Sequence, residues 1–121
     1  MQPLIQHIVD AIHDKKGRSV ALVDLSAIEQ APASFFIICH GGSPAQVSAI
    51  ADNVRDKLLE IDGIKPFNYD GYRNSRWIII DYGNILVHVF LPENRQFYNL
   101  EDLWGDAAIT NIPDLDWHYG Q

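Results

Sequence analysis

The sequence predicts an α/β fold, in which a mixed β-sheet is flanked by helices. Two segments, residues 3–15 and 44–62, place apolar side chains at helical spacing. Short runs rich in isoleucine, valine and phenylalanine are typical of buried strands. Residues 76–81 and 85–91 are two such runs with a tight turn between them, which predicts an antiparallel hairpin. Residues 34–62 are long enough for a crossover between parallel strands, so the sheet should contain both kinds of pairing.

The first half of the chain is predicted to be helix, strand, strand, helix. Pro3 suits the first turn of the opening helix. The two strands, residues 19–25 and 34–40, are separated by a loop that contains Ala-Pro-Ala. Ser43 precedes a proline and stands three residues before Gln46, which is the pattern of a capping box at the start of the second helix.

The second half is predicted to hold three strands and two short helical turns, at residues 64–69, 76–81, 85–91, 93–98 and 100–104. We expect a single domain over residues 1–108. Residues 109–121, with Pro113 and a polar end, should form a C-terminal tail that is mobile.

Composition indicates a soluble domain in a reducing compartment. The chain has 121 residues, of which 47% are apolar and 21% charged, as in ordinary globular proteins. No apolar run approaches the roughly 18 residues of a membrane span, and the N-terminal MQPLIQHIVD has no feature of a signal peptide. A single cysteine, Cys39, excludes an internal disulfide and fits the cytoplasm.

The net charge of -7 weighs against direct nucleic-acid binding, because phosphate recognition normally needs a basic patch. It suits an electropositive protein partner. No lysine or arginine follows Arg95, while acidic residues continue at Glu101, Asp102, Asp106, Asp114 and Asp116. A solvated acidic tail would explain the last of these equally well.

A metal-dependent nucleotidyltransferase is the alternative function. A strand, residues 41–43 (Gly-Gly-Ser) and a helix form the entry motif of such folds, where a helix N-terminus favours a phosphate. The required pair of metal-binding carboxylates does not follow the motif, and Asp81 ends its strand alone. Helix capping also explains the motif, so the sequence favours a protein that is not an enzyme.

The histidines and the cysteine do not form a recognisable metal or nucleophile motif. Cys39 and His40 are neighbours on a strand, so their side chains point to opposite faces of the sheet. We expect Cys39 to be a core residue. His88 alternates with two valines and is expected to be half-buried and hydrogen-bonded.

Polar and aromatic residues interrupt the apolar pattern between residues 76 and 105. Aromatic side chains and arginine are enriched at the centres of protein interfaces, although each aromatic alone could instead cover the edge of the core. The segment predicts a partner-binding surface formed by Trp77, Asp81, Tyr82, Gly83, Asn84, Arg95, Tyr98, Glu101, Leu103 and Trp104.

The runs WIIIDYGNILVHVF and ENRQFYNLEDLWGDA closely resemble the C-terminal signature of the ribosomal silencing factor (RsfS, or Iojap) family. SFFIICHGGS and QVSAIADNV agree with that family upstream, and the resemblance covers residues 3–108. Asn84 stands where the family often has aspartate, and Asp70 where it often has glutamate; both keep hydrogen-bonding capacity.

The resemblance implies a nucleotidyltransferase-like fold that lacks the catalytic carboxylates and needs no cofactor. Family members bind the fourteenth protein of the large ribosomal subunit on the face that meets the small subunit. They thereby block subunit joining and repress translation when nutrients are scarce, while organellar relatives act in large-subunit assembly. Members are also seen as homodimers, and none of this requires a membrane.

From this resemblance we expect specific roles for the predicted surface. Trp77 and Trp104 would be apolar anchors, and Asp81 and Glu101 would accept hydrogen bonds from lysine or arginine of the partner. Tyr82 and Asn84 would form hydrogen bonds from the hairpin tip. Arg95 would either contact the partner or pair internally with an acidic neighbour.

Overall fold

A computed structural model of the chain describes residues 1–115. The elements in chain order are α1 (Pro3–Asp14), β1 (Arg18–Asp24), β2 (Phe35–His40), α2 (Pro44–Asp62), β3 (Asn68–Asp70), β4 (Trp77–Asp81), β5 (Ile85–Phe90), α3 (Pro92–Tyr98), α4 (Leu100–Leu103) and β6 (Ala108–Ile112). In the part of the chain that the structure describes, no helix is long and apolar enough to cross a bilayer.

The strands form one mixed sheet, in the order β3-β4-β5-β2-β1-β6. β2 and β5 pair in parallel, and α2 makes part of the connection between them. The other neighbours are antiparallel, including the β4–β5 hairpin, in which Trp77 lies opposite Phe90 and Asp81 opposite Leu86. The predicted fold class and the mixed pairing are therefore confirmed.

One face of the sheet is covered by α1 and α2. The apolar stripe of α1, with Ile5, Ile8 and Ile12, packs in the same core cluster as Val47 and Ile50 of α2. Alternate residues of each strand complete this core, among them Ile78, Ile80, Val87 and Val89, all with no exposed surface. Most of the buried apolar residues that the structure describes lie in this layer.

The opposite face carries a smaller cluster and a thinner cover. Its buried residues are Val23, Leu25, Phe36, Ile38 and Phe90. Leu100 and Trp104 of the α4 segment and Trp77 of β4 pack against them while remaining partly exposed. Neither α3 nor α4 has a buried side chain, so these short helices leave part of the sheet uncovered.

The start of α2 follows the predicted capping pattern. The Ser43 Oγ accepts a hydrogen bond from the backbone N–H of Gln46 at 3.2 Å. The Gln46 Oε1 accepts in return from the N–H of Gly42 at 2.7 Å, one residue before the expected partner. The helix ends at Gly63, whose φ of 66° is the left-handed conformation that glycine adopts readily.

Residues 109–112 were predicted to belong to the C-terminal tail, but the structure places them in a strand together with Ala108. They form β6, which pairs antiparallel with β1 from Val20–Ile112 to Asp24–Ala108. Their sequence has little apolar alternation because β6 is an edge strand with mostly exposed side chains. Of the rest of the expected tail, residues 113–115 follow β6, and residues 116–121 lie outside the described residues.

Candidate functional site

The uncovered part of the sheet is formed by β3, β4 and β5. Ile78 and Ile80 point into the helix-covered core, so Ile79 and Asp81 between and beyond them point to the other side. Directly paired residues share a face, which adds Asp70 opposite Ile79 and both Asn68 and Leu86 opposite Asp81. We call this surface the open face; its residues are Asn68, Asp70, Ile79, Asp81 and Leu86.

The open face forms a shallow hollow of about 270 Å³, which Tyr69 also lines. Ile79 and Leu86 provide an apolar floor and are only partly buried. Asp70 and Asp81 provide negative charge beside it. An apolar floor with acidic groups around it can receive an apolar side chain together with lysine or arginine from a partner.

Trp77 borders the open face and is held by aromatic neighbours. Its ring stacks on Phe90 with centroids 4.9 Å apart and contacts Tyr98 at 4.5 Å. Its indole Nε1 donates a hydrogen bond to Nδ1 of His88 at 3.1 Å. The predicted apolar anchor Trp77 is therefore a half-buried residue with a fixed orientation rather than a free side chain.

His88 is more buried than the sequence predicted, with 4% of its surface exposed. Its ring packs against Phe36 in a T-shaped arrangement with centroids 4.6 Å apart, and its Nε2 has no hydrogen-bond partner. Burial without an acidic neighbour lowers the pKa of His88 to about 4. The imidazole is therefore neutral at pH 7, which leaves Nδ1 free to accept from Trp77.

The β4–β5 turn presents only some of its predicted residues. Asp81 Oδ1 accepts a hydrogen bond from the N–H of Gly83 at 2.7 Å, and Asn84 is exposed. Tyr82 is instead 9% exposed and packs in the helix-covered core, where burial raises its pKa to about 12. The expected hydrogen bond from Tyr82 to a partner does not fit this position, because the turn directs the side chain inward.

Arg95 and Glu101 pair with each other. The guanidinium donates from Nε to Glu101 Oε1 at 3.3 Å and from Nη2 to Oε2 at 3.0 Å. Only 12% of the Arg95 side chain and 27% of the Glu101 side chain are exposed. The internal alternative for Arg95 is the one that the structure has, and the Glu101 carboxylate is engaged within the chain rather than free for a partner.

The α3–α4 segment presents apolar side chains to solvent. Leu103 is 71% exposed and Tyr98 45% exposed, while Trp104 is partly buried with its ring edge-on to Phe36 at 6.2 Å. Phe97, which the sequence analysis missed, is 80% exposed and contacts Tyr98 edge-on at 5.1 Å. Phe97 and Tyr98 are neighbours on a short helix, so their side chains cannot face the same side. Because Tyr98 contacts the core, Phe97 points to solvent.

The surface predicted from the sequence also did not include Phe67, Ile79 and Leu86, which are exposed or only partly buried. Phe67 is 83% exposed and lies over the hairpin turn, where its ring is 3.0 Å from the position of a Cβ on Gly83. Ile79 could have been found by strand alternation, since it must share a face with Trp77 and Asp81. Phe67 precedes a strand of only three residues, so periodicity gave no orientation for it.

The glycine-serine segment before α2 is occupied by its own contacts. The N–H groups of Gly42 and Gln46 donate to the Gln46 and Ser43 side chains, so both are already satisfied. Within residues 1–115, no group of three or more histidine, cysteine, aspartate or glutamate side chains is arranged to hold a metal ion.

Cys39 is fully buried, and burial raises the pKa of its thiol to about 12.

Comparison with known proteins gives a consistent family. Residues 1–118 match the family described as "Ribosomal silencing factor during starvation". The chain is 44% identical to the ribosomal silencing factor RsfS of Halalkalibacterium halodurans, over 92% of this chain and 93% of that protein. It is 40% identical to RsfS of Bacillus subtilis, over 92% and 90% of the two chains. The chloroplastic protein Iojap of Zea mays is 42% identical over 65% of this chain and 34% of its own length.

Solved structures show the same fold. A crystal structure of a Chromobacterium violaceum protein superposes with a TM-score of 0.81 at 32% identity, covering 87% of this chain and 88% of that one. A second, from Bacillus halodurans, gives a TM-score of 0.79 at 38% identity and covers 93% of this chain and all of that one (100%). In both cases the structural similarity covers most of this chain.

Proposed function

Because this chain belongs to the ribosomal silencing factor (RsfS) family, we propose that it binds the large ribosomal subunit and blocks joining of the small subunit. The contact is with a basic ribosomal protein, the fourteenth of that subunit's series, on the face between the subunits. Occupying that face represses translation in the cytoplasm by steric exclusion. The same contact on an immature subunit would serve a role in large-subunit assembly.

The open face is the observation that carries this proposal. It combines a partly buried apolar floor, Ile79 and Leu86, with the carboxylates of Asp70 and Asp81. Tyr98 stands at its border against Trp77, and the exposed Phe97 lies next to Tyr98. Apolar side chains supply the contact area of an interface, and the acidic residues favour a basic partner over other proteins.

No catalytic step is needed for occlusion, and we propose that the protein is not an enzyme. The nucleotidyltransferase alternative requires a nucleotide to bind near Gly42 and Ser43, where the N–H groups of Gly42 and Gln46 already donate within the chain. Titration calorimetry with nucleoside triphosphate and Mg²⁺ tests this directly. Heat of binding at millimolar Mg²⁺ that is lost in a Ser43→Ala variant would revive the enzymatic hypothesis.

The proposal is tested by co-sedimentation with purified large subunits, followed by addition of small subunits. Asp81→Lys reverses a charge on the open face, and Asp14→Lys makes the same change at the end of α1, on the helix-covered side. We expect wild type and Asp14→Lys to remain on the large subunit and to reduce joining. Asp81→Lys should do neither, because like charges oppose across an interface.

Apolar contacts are tested with a second matched pair. Phe97→Ala truncates a side chain that is 80% exposed on α3, and Ile61→Ala truncates one that is 56% exposed on α2. Neither change removes a core contact, so both proteins should fold. A hot-spot truncation weakens binding by roughly 2 kcal/mol or more, which we expect for Phe97 alone. Equal binding by all four variants would refute the open face and the adjoining Phe97 as the binding surface, and no binding by wild type would refute the ribosomal function.

We further propose that the same apolar side chains can bury themselves in a homodimer. A second copy on the open face would exclude the ribosomal protein, so dimer and complex would compete. Sedimentation velocity with increasing amounts of the isolated ribosomal protein measures this competition. A dimer peak that persists in the saturated complex would show that the two contacts use different surfaces.

A further inference from the structure

The α3–α4 segment contacts the sheet through partly exposed side chains, Tyr98, Leu100 and Trp104, and through the hydrogen bonds of one arginine. No side chain of either helix is fully buried, and the segment leaves Phe97 and Leu103 in solvent. The Arg95 side chain extends inward from α3, and its Nη1 donates to the carbonyl oxygen of Ser19 at 2.7 Å and to His40 Nδ1 at 3.1 Å. Its Nε and Nη2 hold Glu101 of α4 at the same time.

The direction of the His40 contact follows from the donors available. A guanidinium has no acceptor, so His40 Nδ1 must accept from Arg95, and the imidazole is neutral while the bond exists. Burial and the positive charge of Arg95 lower the pKa of His40, which supports the neutral form. One side chain thus joins α3, α4, the end of β2 and the beginning of β1.

Ser19 extends this set of contacts to the residues that follow β6, the edge strand beside β1. It lies at a register irregularity of β1 and has a φ of 51°, which non-glycine residues rarely adopt. Its N–H donates to Asp114 Oδ1 at 2.7 Å, while its carbonyl oxygen accepts from Arg95. Asp114 follows β6, and β1, β2 and β5 separate that strand from β4.

We infer that these hydrogen bonds, from Asp114 through Ser19 to Arg95 and Glu101, hold α3 and α4 in place, so that Asp114 positions a binding surface that it does not touch. We call this set the Arg95 network; its members are Ser19, His40, Arg95, Glu101 and Asp114. Arg95 and Glu101 then act as positioning residues rather than as contacts of the partner. The part of the inference that concerns binding rests on the proposed function.

If the Arg95 network holds the segment, the positions of the apolar side chains of α3 and α4 depend on Asp114, which follows the edge strand β6. Removing the Asp114 carboxylate leaves the N–H of Ser19 without its acceptor. The positive φ of Ser19 is then no longer restrained from that side, so we expect the carbonyl of the following peptide unit to shift and its hydrogen bond with Arg95 to weaken. Hydrogen bonds to charged groups are the stronger ones in proteins, so their loss should open the segment measurably.

The first test is amide hydrogen exchange of the free, full-length protein, compared between wild type, Asp114→Ala and Thr110→Ala. Thr110 is an exposed residue of β6 and serves as the matched control. We expect Asp114→Ala to accelerate exchange of residues 93–104 by about tenfold, which corresponds to about 1.4 kcal/mol. Thr110→Ala should leave that segment unchanged, and α2 should be unchanged in both variants. Acceleration confined to β1 and β6 would overturn the inference.

Glu101→Gln provides a second variant if Asp114→Ala does not fold. It keeps the acceptor oxygen but removes the charge, so exchange of residues 93–104 should accelerate while α2 again stays unchanged. Unchanged exchange in this variant as well would overturn the network. Either result is obtained without the ribosome.

Binding to large subunits then separates the inference from the proposed function. We expect Asp114→Ala to bind more weakly than wild type and Thr110→Ala to bind as wild type does. Faster exchange with unchanged binding would overturn the positioning role. If wild type itself does not bind, the proposed function fails while the exchange result still decides the network.

Discussion

At the scale of single residues, the neutral His88 links the aromatic cluster to pH. The folded protein keeps its pKa near 4, whereas an unfolded chain has a histidine pKa of about 6.5. Between those values the unfolded state binds more protons, so stability rises with pH and is lost as pH falls from about 6.5 toward 4. Protonation of the buried His88 therefore opposes folding at acid pH and removes the acceptor of the Trp77 indole N–H.

We predict that His88→Gln loses less stability on acidification than wild type. A glutamine oxygen can accept from Trp77 Nε1 but does not titrate. Going from pH 7 to pH 5 should cost wild type about 2 kcal/mol more than the variant. Denaturant unfolding at both pH values measures the difference, and His40 contributes equally to both proteins. Identical losses would show that His88 is not held neutral.

We also predict that Cys39 is unreactive in the native protein. Its thiol has no exposed surface, and burial raises its pKa to about 12, so almost no thiolate forms at pH 8. A chromogenic disulfide reagent should label it only after denaturant is added. Rapid labelling of the native protein, at a rate similar to that of the unfolded chain, would contradict its place in the core.

At the scale of secondary-structure elements, the turn between β3 and β4 depends on Gly71. Its φ is 102°, and a Cβ there would lie 2.0 Å from the carbonyl oxygen of Trp77. Gly63 at the end of α2 also has positive φ, 66°, but a Cβ there would meet no atom within 4 Å. The two positions therefore separate the cost of backbone conformation from the cost of collision.

We predict that Gly63→Ala lowers the free energy of unfolding by about 1 kcal/mol, the cost of a left-handed alanine. Gly71→Ala should lower it by at least about 3 kcal/mol, because the neighbouring strand must move as well. Chemical denaturation of both variants provides the comparison. Similar values for the two would mean that the β3–β4 turn rearranges without resistance.

Local signals made most elements predictable. Ser43, with the proline and the glutamine of the first turn, marked the start of α2, and the close spacing of β4 and β5 marked the hairpin. β6 was not predictable, because its residues are mostly exposed and become a strand only by pairing with β1. The inward turn of Tyr82 and the contacts of Arg95 with Ser19 and His40 also depend on distant parts of the chain.

At the scale of the whole molecule, the net charge of -7 should steer the protein toward a basic partner. Such steering acts on the rate of association and weakens as salt shortens the Debye length, which is about 10 Å at 0.1 M. Ribosomal RNA would repel the same charge. For the ribosomal protein that we propose as the partner, a measurement with the isolated protein rather than with the whole subunit therefore avoids this repulsion.

We predict that the association rate constant with the isolated ribosomal protein falls roughly tenfold between 50 and 500 mM salt, with little change in dissociation. Asp81→Lys and Asp14→Lys both change the net charge by two, from -7 to -5. If net charge alone steers, both should slow association equally; if the open face receives the partner, Asp81→Lys should slow it far more. Stopped-flow fluorescence distinguishes these cases. A rate that does not depend on salt would remove electrostatic steering and leave the apolar side chains as the basis of recognition.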